Sequence, residues 1–239
     1  EVEAERLRAW GKAVLGLHPV RRDLHLFMIL TGMRRTSACE ARASELDLGA
    51  RRLHVPKPKG GAARAFDLPL SGPLADLLGH RLAENPKLHR KSPWLFPADS
   101  KSGHVAEVAQ HELDGLTGHA LRHTYATLAL QAGVPIAELK FLLNHAAGNV
   151  TMGYLNPSLD HLRGYQEKAS AYVLDALGLD AADSVGIGDS WNDVEMFEVC
   201  GTSIAMGNAH PDVQVLTDQV TESLLDDGIY RAFERNELL

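Results

Sequence analysis

Cysteine is nearly missing from this sequence: Cys39 and Cys200 are the only two, far apart and outside any Cys-x-x-Cys spacing. That excludes a disulfide framework and a cysteine zinc site, and both residues are expected to be ordinary buried thiols. Long apolar runs are missing as well. No stretch of about eighteen apolar residues occurs, and the opening EVEAERLRAW lacks the apolar core of a signal peptide, so neither a membrane span nor secretion is expected. A cytoplasmic location follows as the expectation. The first residue is Glu1 rather than methionine, which suggests that something upstream was removed or not included. What the chain does have is 239 residues, 45% of them hydrophobic, enough for one large or two modest domains.

An overall excess of positive charge is also lacking, the formal net charge being −7. Read evenly, that value argues against a nucleic-acid binder, but the charge is unevenly placed. Residues 1–175 carry a net +4 and eleven of the twelve histidines, whereas residues 176–239 carry a net −11. The two parts are expected to differ in origin or in partner.

Apolar periodicity predicts helices over 3–15 and 21–32, the second closed by Gly32, and a resumed helical pattern from Thr36 to Ala43. Two strand-like pieces, 52–55 and 65–68, flank Pro56-Lys57-Pro58-Lys59-Gly60-Gly61 and read as a hairpin with a basic tip. Residues 73–85 read as helix, 86–105 as loop, and 121–132 with 136–143 as a helix, tight turn, helix unit. From about residue 180 strands and helices alternate, the mark of a parallel α/β layer. The domain change is expected inside or just after the helix ending near Leu177, giving domains over 1–177 and 178–239.

Attack on a phosphodiester needs a nucleophile, cations that fix the phosphate oxygens, and an acid for the departing hydroxyl. Thr31-Gly32-Met33-Arg34 resembles the first box of the tyrosine recombinases, the phage integrase class. His119-Ala120-Leu121-Arg122 resembles the His-x-x-Arg of the second box. Leu143-Asn144-His145, with Tyr154 nine positions on, resembles the family's Leu-Gly-His and tyrosine, Asn144 standing where glycine is usual. The hairpin resembles the family's lysine-bearing β-hairpin, with Lys59 fitting better than Lys57. Each residue alone has a bland reading: a solvated arginine, surface histidines on a helix, a core tyrosine. The ordered set over about 120 residues is what carries the resemblance.

The resemblance implies an α+β fold, a mostly helical catalytic domain with a small sheet, that cuts and rejoins DNA through a 3′-phosphotyrosine. In that scheme Arg34 and Arg122 clamp the phosphate oxygens, a bidentate geometry lysine cannot reproduce. Tyr154 attacks phosphorus, Lys59 protonates the leaving 5′ oxygen, His119 is the general base and His145 hydrogen-bonds the phosphate. No cofactor is implied, because the ester stores the energy. The implied partner is double-stranded DNA, bound by a homotetramer. No counterpart of the family's N-terminal core-binding domain is expected in these residues, and DNA affinity is expected to be weak and steeply salt-dependent. Independent sequence reading by the 120–143 unit is not expected, since the helix bearing Arg122 serves the phosphate.

Val185-Gly186-Ile187-Gly188-Asp189-Ser190-Trp191-Asn192-Asp193, then Ala205-Met206-Gly207-Asn208-Ala209, resembles the last motif of haloacid-dehalogenase-like phosphatases. That resemblance implies a partial Rossmann-like α/β segment in which Asp189 and Asp193 could hold Mg²⁺. The family's nucleophilic Asp-x-Asp has no counterpart; Glu112-Leu113-Asp114-Gly115 lacks the first aspartate. Lys168 could pass for that family's lysine but also suits the helix after the recombinase tyrosine. Three short parallel strands would leave an edge unpaired. The alternative function is therefore a Mg²⁺-dependent phosphatase-like module, incomplete and inactive, fused to a DNA-binding remnant.

Overall fold

The computed structural model describes residues 2–106, 113, 116–145, 157–179, 184–198 and 200–236. By packing, the chain divides into two compact units, Glu1–Leu177 and Gly178–Leu239.

In the first unit, α1 (Val2–Leu15) leads to α2 (Pro19–Thr31), whose proline occupies the first turn, where its missing N–H costs nothing. Val20, Leu24, Phe27, Met28 and Leu30 are buried, making α2 the axis on which α1, α4 (Gly72–Leu88), α5 (His119–Gln131) and α7 (Leu159–Leu177) pack. Asp23 and Arg81 are both fully buried and joined by an ion pair of 2.5 Å between α2 and α4.

Three segments depart from the sequence expectation. The short α3 covers only Arg35–Cys39, because Ala41 accepts a hydrogen bond from the Leu95 N–H and Arg42 bridges to Trp94 in extended form. The hairpin gains a third strand: β1 (Leu46–Asp47), β2 (Arg52–Val55) and β3 (Phe66–Pro69) form an antiparallel sheet in that order, Leu53 facing Leu68 and Val55 facing Phe66. Helix α4 runs on through Pro86 to Leu88 rather than stopping before the proline. Cys39 is a buried thiol pushed up to about 11 by burial, whereas Cys200 is only half-buried.

Helix α7 closes this unit. Its buried side chains, Leu162, Gln166, Ala169, Ser170, Val173 and Leu177, recur at helical spacing on one stripe. The buried polar groups among them are paired. Gln166 donates to the Leu30 carbonyl at 2.7 Å and accepts from the Tyr125 hydroxyl at 2.9 Å, while Ser170 meets Ser71 at 2.7 Å.

The second unit is a small parallel sheet, β4 (Val185–Gly188), β5 (Thr202–Ala205) and β6 (Gln219–Val220), in that order. Between and after the strands lie α8 (Val194–Phe197), α9 (Pro211–Gln214) and α10 (Gly228–Arg235). Its core is slight: Phe197, Ala205, Ala209 and Val213, with Met196 against them. A 3-10 turn at Leu224–Asp226 precedes α10, with Asp227 between them in left-handed geometry, φ 58°. The class is α+β, mostly helical with a small sheet, followed by a partial α/β segment.

Candidate active site

Thr31-Gly32-Met33-Arg34 is a compact device for ending a helix with an arginine projecting from it. The buried Thr31 hydroxyl donates to the Phe27 carbonyl at 2.6 Å and accepts the Met33 N–H at 3.1 Å. Gly32 is left-handed, φ 60°, and an added Cβ would lie 2.4 Å from a ring carbon of Tyr125, so both backbone geometry and space demand glycine. Met33 is buried, and Arg34, half-buried, follows it as the residue that opens α3.

Arg122, in the first turns of α5, is 9% exposed. Its Nη1 donates to the Gly32 carbonyl at 2.6 Å and its Nη2 to the Leu143 carbonyl at 2.8 Å. The guanidinium is thus fixed by the ends of α2 and α6 (Ile136–Leu142), with donors to spare for a ligand. Burial first, and the neighbouring Arg34 second, push it down to about 10.

Arg34, Lys59, His119, Arg122 and His145 line one cleft of about 500 Å³. None of its eleven lining residues is acidic. A concave surface with three guanidiniums, those of Arg34, Arg35 and Arg122, and an ammonium but no carboxylate has an unmet demand for an anion. His145 registers that field: the cleft walls desolvate its ring, and Arg122, Arg34, Arg64 and Lys140 add to the effect, holding its pKa below the usual 6.5. His145 is therefore expected to be neutral at pH 7. Because the unfolded chain would bind the proton more readily, the stability tied to this ring is present above pH 6.5 and lost as pH falls toward the folded value. A histidine NMR titration should show this ring titrating below its ordinary value and moving up when inorganic phosphate fills the cleft. No response to phosphate would contradict the anion-binding assignment.

His123 was not among the residues singled out from the sequence. It lines the same cleft, and its Nε2 lies 2.7 Å from Nε2 of His119, the rings edge-on with centroids 4.2 Å apart. One ring must donate and the other accept, so their tautomers are coupled. The signal was present in the sequence, since histidines four apart on a helix share a face. Tyr154 lies outside the described residues, as do Glu112, Asp114 and Gly115. The described ends of its segment, His145 and Pro157, border a second cleft shared with Phe66 and Lys140.

In the second unit, Asp193 Oδ2 accepts from the N–H groups of Asp189 and Ser190 at 2.9 and 3.0 Å and from the Ser190 hydroxyl at 3.2 Å. Asp189 Oδ2 accepts from Asn208 at 3.1 Å. Both carboxylates thus serve the turn after β4, and no cluster of three acidic, histidine or cysteine ligands exists among the described residues. Asp189 and Asp193 would be the residues to hold Mg²⁺ there, with water completing its oxygen shell. Lys168 sits on α7 in the first unit, its ammonium 5.7 Å from the Tyr165 ring.

Comparison with known proteins finds two families along the chain, with bounds that differ from those of the packing units. The phage integrase family model matches residues 16–161, more than half of the chain, and the chain belongs to that family. A haloacid dehalogenase-like hydrolase model matches residues 158–233. The prophage integrase IntF of Escherichia coli (strain K12) is 28% identical over 195 residues, 77% of this chain and 41% of that protein. The chain thus spans less than half the length of this relative. Phosphoglycolate phosphatase of Methanosarcina acetivorans is 43% identical over 62 residues, 26% of this chain and 27% of that protein. Among solved structures, the integrase from mycobacterium phage Brujita aligns with a TM-score of 0.52 at 20% identity, over 71% of this chain and 61% of that one, a likeness of fold. Among the described residues, no helix is long and apolar enough to cross a membrane.

Proposed function

We propose that the first unit cleaves and rejoins double-stranded DNA through a covalent phosphotyrosine at Tyr154. The observation that carries this reading is the cleft in which Arg34, Lys59, His119, Arg122 and His145 meet without an acidic neighbour. Arg34 and Arg122 take the non-bridging oxygens of the scissile phosphate, and His145, neutral, adds a hydrogen bond. The phenol of Tyr154 gives its proton to His119, whose tautomer His123 holds, and its oxygen bonds to phosphorus. The bond from phosphorus to the 5′ oxygen breaks, and Lys59 supplies the proton for the departing hydroxyl. Resealing runs the same steps backwards, so the ester energy is conserved and the reaction consumes no nucleotide.

Tyr154 is assigned as the nucleophile by family resemblance, from its place nine positions after His145 in the sequence. By family resemblance the working assembly is a homotetramer on two duplexes in the cytoplasm. The second unit is proposed as an appended module without hydrolase chemistry.

The test is covalent capture. A pool of nicked suicide duplexes with randomised sequence around the nick is incubated with the protein, and adducts are isolated under denaturing conditions. The chain should yield adducts that Tyr154→Phe does not; equal adducts from both would remove Tyr154 from its role.

A further inference from the structure

Lys59 is exposed, in a ten-residue loop between β2 and β3 that carries two successive glycines at positive φ, 111° and 84°. Such backbone is costly to hold in one conformation. Yet a general acid must stand within hydrogen-bond reach of the leaving oxygen. The loop's internal turns, Gly61 to Pro58 and Arg64 to Gly61, shape it but do not attach it to the cleft.

The attachment is at Arg64 and Asn144. Arg64 Nη2 donates to the Asn144 carbonyl at 3.0 Å and to its side-chain oxygen at 3.4 Å, and Asn144 Nδ2 donates back to the Arg64 carbonyl at 3.1 Å. Among the described residues these are the hydrogen bonds that tie the loop to another element. Asn144 is left-handed, φ 46°, a conformation asparagine accepts better than most side-chain-bearing residues. Its neighbours serve the same cleft: the Leu143 carbonyl holds Arg122, and His145 lines the wall.

We infer that the reciprocal Arg64–Asn144 hydrogen bonds are a latch that positions Lys59, the proposed acid, against the phosphate site. Asn144 is a positioning residue, acting through the loop. The inference rests on the recombinase reading of the cleft for its catalytic consequence and on geometry alone for the latch.

The test uses the full chain and Asn144→Gly, which keeps the left-handed backbone and removes the amide. Trypsin cuts between Lys59 and Gly60, and that cut should become severalfold faster in Asn144→Gly and in Arg64→Ala with little change in melting temperature. An unchanged cutting rate overturns the latch. On a DNA site recovered by covalent capture, Asn144→Gly should form adduct about tenfold more slowly, ~1.4 kcal/mol in the barrier. Replacing the 5′ bridging oxygen by sulfur, whose thiolate leaves without a proton, should restore the variant to the wild-type rate. Lys59→Ala should behave the same way, and the double variant should be no slower than Lys59→Ala. Equal slowing on oxygen and sulfur substrates would overturn the positioning role. A wild-type chain that captures nothing from the pool would sink the recombinase reading instead, and the trypsin comparison would then decide the latch by itself.

Discussion

Arg122→Lys should lower adduct formation by about 10³-fold, because the guanidinium is both a structural clamp and the proposed phosphate ligand. Two of its donors are committed to the Gly32 and Leu143 carbonyls, on segments 90 and 21 residues away in sequence. A lysine ammonium is a single point with three donors and cannot bridge both carbonyls while also facing a phosphate in bidentate fashion. At least one buried carbonyl would lose its partner, at about 1–3 kcal/mol. Arg122→Lys should therefore also lower the urea midpoint. Arg34→Lys makes a useful comparison: Arg34 is half-buried, so its variant should lose activity with little loss of stability. A wild-type rate for Arg122→Lys would remove the clamp from the account.

Shortening the chain should have the second large effect, and where the cut falls matters more than the number of residues removed. The hydrolase-like match begins at residue 158 and so includes α7, yet α7 packs within the first unit. Removing everything after Pro157 would strip Leu162, Val173 and Leu177 from that core and leave Tyr125 and the Leu30 carbonyl without Gln166. Each buried aliphatic is worth roughly 1.5–3 kcal/mol and each orphaned polar group roughly 1–3 kcal/mol. The total rivals the net stability of an ordinary domain, about 5–15 kcal/mol. A chain ending at Pro157 should show no cooperative unfolding transition, whereas one ending at Leu177 should unfold cooperatively and keep its adduct chemistry. If the shorter chain unfolds as sharply as the longer, α7 is dispensable and the packing description is wrong.

That helix also shows what the sequence could and could not convey. Its apolar stripe was readable from spacing, but Gln166 looks like an ordinary polar residue until its partners, Tyr125 and Leu30, are known from packing. Thr31-Gly32-Met33-Arg34 was readable because each of its four residues meets a local need: a back-bonded hydroxyl, a left-handed cap, a buried anchor and a projecting charge. The parallel strands Val185–Gly188 and Thr202–Ala205 were readable from short apolar runs bounded by turn residues. By contrast β1 is two residues long and exists because β2 offers it a partner, which no local pattern announces. The end of α3 at Cys39 depends on Leu95 and Trp94, more than fifty residues on. Arg64 and Asn144, eighty residues apart, each look like surface polarity in isolation. Contacts of that kind are set by tertiary packing, and only coordinates supply them.

The most direct measurement is peptide mapping of a captured DNA adduct. After nuclease trimming and proteolysis, the peptide containing Tyr154 should carry the residual nucleotide mass, with fragmentation placing the phosphate on that tyrosine oxygen. Nucleotide mass on a peptide bearing a different residue, such as a histidine of the cleft, would contradict the proposal that Tyr154 makes the covalent bond to DNA.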